Sequence, residues 1–246
     1  MSVLFLALTA GALVGLALGA LGGGGSVLAV PALIYPLGLT PAAATTASLV
    51  IVTLTSVTAL AAHARDGQVR WRTGLLFAAA GIGPAMLGGA LAARVPAALL
   101  TAAFAGVAAV AAVHMLRTTP EPVARVRPGR AVAAGAGLGG VTGVLGVGGG
   151  FLAVPALVGV VGLRMRAAVG TSLLVITVNS LAALATRAGT VGALDWTVIG
   201  PFAGAAILGA RDGKRLAAKV SGGTLQRAFA LVLLALAVFM LAEAVL

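Results

Sequence analysis

The chain has 246 residues, of which 61% are hydrophobic and only 9% charged, against roughly 25% charged in a soluble domain. It contains no cysteine, which excludes disulfides, thiolate metal sites and cysteine nucleophiles. The formal net charge of +11 does not point to nucleic acid, because the basic residues sit in short stretches between apolar runs, the positive-inside pattern of membrane proteins.

Residues 3–21 form the first apolar run, at about the 20-residue length a helix needs to cross a bilayer. It lacks the basic start of a signal peptide, and its pattern recurs later, so it is read as part of the mature fold. A glycine break follows at Gly22–Ser26, then a short apolar segment, 27–37. Eleven residues make about 17 Å of helix, too short for a hydrocarbon core of about 30 Å. The segment is a re-entrant piece or half of a broken span. Three longer runs follow at 42–63, 73–93 and 97–116. Continuous apolar runs rich in Ala, Leu, Val and Gly exclude a β-barrel, whose strands alternate, so the backbone must satisfy itself as helices.

Residues 118–130 hold Pro120, Pro122, Pro128, Arg125, Arg127 and Arg130 and read as a polar cytoplasmic linker. Beyond it the same order returns: a first run at 131–146, a glycine break at Gly146–Gly150, a short segment at 151–162, then 167–187, 196–211 and 223–242. At an offset of 124, LGGGGSVLAVPAL (21–33) and LGVGGGFLAVPAL (145–157) share ten of thirteen residues. After a one-residue slip Trp71 pairs with Trp196, and Met115-Leu116 with Met240-Leu241. The chain divides into one membrane repeat at 1–117 and a second at 131–246.

Charge selects the topology. If each first helix and short segment form a hairpin, every repeat crosses an odd number of times and the two are inverted. The linker side then holds fourteen of the sixteen basic residues, leaving Arg94 and Arg187 opposite. Parallel repeats would split them eight and eight, so the positive-inside rule favours inversion with both termini outside. The fold class expected is an all-α polytopic protein of two inverted-topology repeats, each a Gly-broken helical hairpin plus three transmembrane helices, a transporter architecture.

The glycine breaks carry the chemistry. Glycine costs about 1 kcal/mol inside a helix relative to alanine, and non-helical backbone at membrane depth survives only inside protein or beside a wet cavity. Each break leads into a short helix whose first-turn N–H groups and positive dipole end suit an anion. Gly24, Gly25 and Ser26, with Gly148, Gly149 and Gly150, are the expected substrate-binding residues. Pro31 and Pro155 are expected as structural helix breaks close to the starts of the short helices, where a missing N–H costs no hydrogen bond. Close packing through small residues competes for one such cluster; its recurrence before Val-Pro-Ala-Leu favours a site. Thr46, Ser48, Thr171, Ser172 and Asn179 are candidates for a polar path, against the alternative that hydroxyls bond back to helix carbonyls.

None of the five acidic residues lies mid-span, and His63 and His114 lie near helix ends, too few for zinc. No nucleophile and base are paired, no P-loop pattern occurs, and no catalytic residue, cofactor or metal is expected. Trp71 and Trp196 read as interfacial anchors, Pro84 and Pro201 as kinks within spans, Arg187 and Asp195 as a loop pair, and Arg164 and Arg166 as a basic mouth.

The segments LGGGGSVLAVPALIYPLGLTPAAATTASL (21–49) and LGVGGGFLAVPALVGVVGLRMRAAVGTSL (145–173), with the two-half plan, resemble the sulfite exporter TauE/SafE family over essentially the whole chain. Ala47 stands where the second half has Thr171, a departure from the family's Ala-Thr-Ser pattern. The resemblance implies a multi-pass protein of the cell (inner) membrane that transports or facilitates passage of a small sulfur-containing anion such as sulfite or a sulfonate, by export. The alternative is a pore subunit of a larger transport assembly. The partners expected are a small anionic substrate and the lipid bilayer, with a homo-oligomer left open and no nucleic acid.

Overall fold

The computed structural model describes residues 2–23, 28–92, 96–117, 127–145, 150–186, 192 and 194–245. Its described elements are helices: α1 (Ser2–Leu21), α2 (Ala29–Ile34), α3 (Pro41–Arg65), α4 (Trp71–Ala92), α5 (Ala97–Arg117), α6 (Pro128–Leu145), α7 (Gly150–Gly159), α8 (Met165–Thr186), α9 (Trp196–Lys219) and α10 (Gly222–Val245). Four of them contain stretches long and apolar enough to cross a membrane: Val3–Leu21, Ala43–Arg65, Met165–Ala185 and Gly222–Phe239.

Local chemistry explains several boundaries. Thr40 caps α3 by accepting from the Ala43 amide, and Pro41 occupies the first turn, where its missing N–H is harmless. Asp195 caps α9 through the Thr197 amide at 3.0 Å, a role the loop pairing with Arg187 did not foresee; Arg187 lies outside the described residues. Trp71 and Trp196 open α4 and α9 as expected, and Pro84 and Pro201 lie inside those helices. Both short helices stop in the same way. Gly38 and Gly162 adopt φ of 68° and 79°, and Leu39 and Leu163 donate back to Leu33 and Leu157 at 3.2 and 2.9 Å, the bond that closes a helix on a left-handed glycine.

Two boundaries differ from the sequence reading. The short helix α2 has six residues rather than eleven, because the chain turns at Tyr35–Leu37 before Gly38. Helix α9 runs on to Lys219, eight residues past the apolar run. Gly213 and Ala217 stay buried there while Arg211, Asp212 and Arg215 face outward, so an amphipathic turn continues the helix where uniform hydrophobicity ends.

Packing repeats at the sequence offset. Helix α1 runs along α9, and α6 along α4. A Cβ on Gly11, Gly15 or Gly19 would overlap the backbone of Phe202, Ala206 or Ala210. A Cβ on Gly135, Gly139 or Gly143 would overlap that of Phe77, Gly81 or Ala85. The two glycine sets are 124 residues apart, and their partners 125. Small residues allow this backbone approach, the usual device where apolar burial does not drive helices together.

Helices α3 and α8 cross antiparallel. Ser56 meets Thr177 at 3.0 Å, while beyond the C-terminus of α3 the Arg70 amide donates to Thr171, near the start of α8, at 3.1 Å. Gln226, early in α10, donates to the Met115 carbonyl at the end of α5, and the His63 ring lies 3.3 Å from the Gly19 carbonyl. The described ends of α1, α3, α5 and α9 therefore share one pole with the starts of α4, α6, α8 and α10. All described Lys and Arg residues belong to this pole. The core forms two apolar clusters, one around Phe151, Val154 and Leu157 of α7, the other around Ala29 and Leu33 of α2.

Candidate functional site: the junction of the glycine breaks

Helix α1 ends on Leu21, and Gly22 turns the chain with φ of 65°, which only glycine adopts at no steric cost. The Gly23 amide then donates to Ser172 Oγ at 3.2 Å. Ser172 is fully buried and itself donates to the Val169 carbonyl at 2.8 Å. A Cβ on Gly23 would overlap the carbonyl of Gly150 and lie 3.3 Å from Ile176. The start of the first break is thus pressed against the first residue of α7, which follows the second break, and against α8. Gly150 is buried and opens the ten-residue α7, whose positive dipole end lies at this junction. Gly24, Gly25, Ser26, Gly148 and Gly149 lie outside the described residues.

Of the hydroxyl candidates, Thr171 and Ser172 are fully buried, and Thr46 and Ser48 nearly so. Thr171 accepts from the Arg70 amide and Ser172 from Gly23, so both tie the first half of the chain to α8. Ser48 donates to the Thr45 carbonyl at 2.8 Å. Thr53 and Thr55 bond back to Leu49 and Ile51 at 2.6 Å, and Thr58 to Leu54 at 2.8 Å. Most of the α3 hydroxyl stripe therefore satisfies itself along its own helix. The Thr177 hydroxyl is 3.0 Å from Ser56 and 2.7 Å from the Leu173 carbonyl, so its one proton can serve either. Asn179 lies half-buried on α8, two residues beyond Thr177.

The prolines differ from each other. Pro31 is the third residue of α2. Pro155 is the sixth residue of α7 and lies inside it, which corrects its placement in the first turn. The helix begins at Gly150, one residue before the expected segment, and Phe151, Leu152, Ala153 and Val154 are all buried in the core.

Lys214 pairs with Asp66 at 2.7 Å and donates to the Ala62 carbonyl at 2.6 Å. The His63 ring lies 2.9 Å from Gln68. These side chains and Arg166 line a cavity of about 20 Å³, room for roughly one water. The Lys214 ammonium hydrogen-bonded to Asp66 holds its carboxyl below the usual carboxylate range. Arg166 donates to the Ala218 and Val220 carbonyls at the end of α9, and both Arg164 and Arg166 are exposed. The Lys214–Asp66 link went unread in the sequence, since the partners lie 148 positions apart and neither belongs to a motif. Among the described residues no cluster of His, Cys, Asp or Glu could hold a metal.

A sequence model of the sulfite exporter TauE/SafE family matches residues 7–240. Two relatives, each described as a probable membrane transporter protein, come from Xylella fastidiosa. The one from strain 9a5c is 35% identical over 249 aligned positions, covering 97% of this chain and 95% of the relative. The one from strain Temecula1 / ATCC 700964 is 34% identical over 253, with the same coverage. No solved structure matches. With a match across almost its full length and apolar helices long enough to span a bilayer, the chain is a multi-pass membrane protein of the sulfite exporter TauE/SafE family.

Proposed function

We propose that the protein is a secondary transporter or facilitator for a small sulfur-containing anion, sulfite or a sulfonate, working by export. The observation that carries this reading is the buried junction of Gly23, Gly150 and Ser172. It brings one glycine-rich break against the buried N-terminus of α7, which follows the other break, and the free first-turn amides and positive dipole end of such a helix suit an oxyanion. The name of the family and the names of the relatives support transport. The two repeats are inverted, 1–117 against 131–246, with the linker in the cytoplasm. Support comes from the antiparallel crossing of α3 and α8 and from the single basic pole. Binding uses Gly24, Gly25, Ser26, Gly148, Gly149 and Gly150 with Thr46, Ser48, Thr171, Ser172 and Asn179. Backbone amides and hydroxyls do not titrate near neutral pH, so the inside-negative potential drives the anion outward by about 2.3 kcal/mol per charge per 100 mV. The test is uptake of radiolabelled sulfite, sulfate, thiosulfate, taurine and alkylsulfonates into proteoliposomes of the purified chain. Saturable uptake of sulfite or a sulfonate supports the assignment, and uptake of none of these anions refutes it.

A further inference from the structure

The repeat is broken at one place on the outer surface. On one side Tyr35, at the end of α2, meets Phe239 of α10 edge-on, with ring centroids 6.2 Å apart. At the repeat offsets of 124 and 125, Tyr35 corresponds to Gly159 and Phe239 to His114. The same contact therefore recurs between α7 and α5 with much smaller partners, a Cβ on Gly159 falling 3.4 Å from the His114 ring. Two further positions follow suit. Gly106 on α5 stands where α10 has Leu231, and Gly137 on α6 stands where α1 has Leu13. These exchanges of large for small open a groove of about 920 Å³ between α5, α6 and α7. Its walls are almost wholly apolar, and among the described residues His114 is its one ionisable lining residue. The groove ends at the basic pole. Arg117 lies one turn past His114, Arg130 one turn before Ala133 on the groove wall, and Arg164 four residues past Val160. All three arginines are exposed.

We propose that this groove is a binding site for an anionic phospholipid, with its acyl chains lying in the groove and its headgroup phosphate among Arg117, Arg130 and Arg164. An apolar, open groove on a membrane protein faces hydrocarbon chains, and basic pockets between transmembrane helices hold anionic headgroups. The positive charge at one end and its absence along the walls select a ligand with an anionic head and apolar tails. A second copy of this chain would bring its own basic pole against these arginines if it packed in parallel. The site is confined to one half of the molecule, since the other half carries Tyr35, Leu13 and Leu231.

The full-length protein in detergent is offered equal amounts of phosphatidylglycerol and phosphatidylcholine with identical chains, and bound lipid is read by native mass spectrometry. Phosphatidylglycerol is retained in preference, and Arg130→Gln or Arg164→Gln each reduces that preference about fivefold. The double variant Gly106→Leu/Gly137→Leu restores the leucines of the other half. Both glycines have open space around their would-be Cβ atoms, so the variant folds and loses the retained lipid. A diazirine-tailed phosphatidylglycerol, used on the unmodified protein, labels peptides of α5, α6 and α7. Equal retention of the two lipids, unchanged binding in the leucine variant, or label spread evenly over both halves overturns the proposal. A dimer that dissociates in the leucine variant overturns it too, and assigns the groove to a second copy.

Discussion

The Gly23 amide donates to the hydroxyl of Ser172, 149 residues further along the chain, and the same glycine leaves no room for a side chain against Gly150. The contact joins the end of α1 to the start of α7 and to α8. Two substitutions separate its parts. Ser172→Ala removes the hydroxyl that accepts from Gly23 and donates to Val169 at nearly constant volume and costs about 0.5–1.5 kcal/mol. Gly23→Ala forces a methyl group into a backbone carbonyl that cannot rotate away and costs more, about 1–3 kcal/mol. Thermal unfolding in detergent should rank Ser172→Ala above Gly23→Ala in stability, and equal effects would contradict the packed junction.

The glycine seams make a sharper contrast. Gly15→Ala and Gly139→Ala each drive a Cβ into the backbone of the facing helix and should destabilise by about 1–3 kcal/mol. Gly204→Ala, on α9 with nothing within 4 Å of its would-be Cβ, should be neutral or stabilise by up to about 1 kcal/mol through helix propensity. A scan in which all three behave alike would mean that α1 and α6 do not run against α9 and α4 in this way.

Much of this was legible before any coordinates. The order of apolar helices, the Trp71 and Trp196 starts and the charge asymmetry of the described residues follow from the need to bury backbone in a bilayer, which leaves few patterns open. What escaped was pairing. Nothing local to Ser172 marks it as the acceptor for Gly23, since its hydroxyl also satisfies the common back-bonded pattern, as Ser48 does. Gly11, Gly15 and Gly19 are periodic, but their partner α9 is set by tertiary packing. The sequence reading puts Pro155 close to the helix start, but a segment that opens at 150 or 151 already places it beyond the first turn, as the sixth residue of α7.

Asp66 and Lys214 give a pH signature. The Asp66 carboxyl is held below its usual range by Lys214, so its contribution is fully present above the unfolded carboxylate value of about 3.9. It is lost as pH falls through the lower folded value. The carboxylate is about half exposed, with a side-chain exposure of 45%, so the contribution stays below about 1 kcal/mol. Asp66→Asn should lower stability slightly at pH 7 and flatten the acid limb of stability against pH. An unchanged acid limb would show that the pair does not persist in solution.

The proposed inverted repeats, with the basic pole in the cytoplasm, would place the C-terminus outside. A C-terminal alkaline phosphatase fusion should be active, and a fluorescent protein that matures only in the cytoplasm should stay dark. The reverse pattern would overturn the topology.

The most direct test of transport through the junction is flux of a permanently charged sulfonate in liposomes holding only the purified chain, with voltage and pH gradient set independently. The account predicts flux that follows voltage, ignores the pH gradient and falls to background in Gly23→Leu while insertion into the liposomes is unchanged. Full flux in Gly23→Leu, or accumulation driven by the pH gradient alone and lost on substitution of His63, would contradict it.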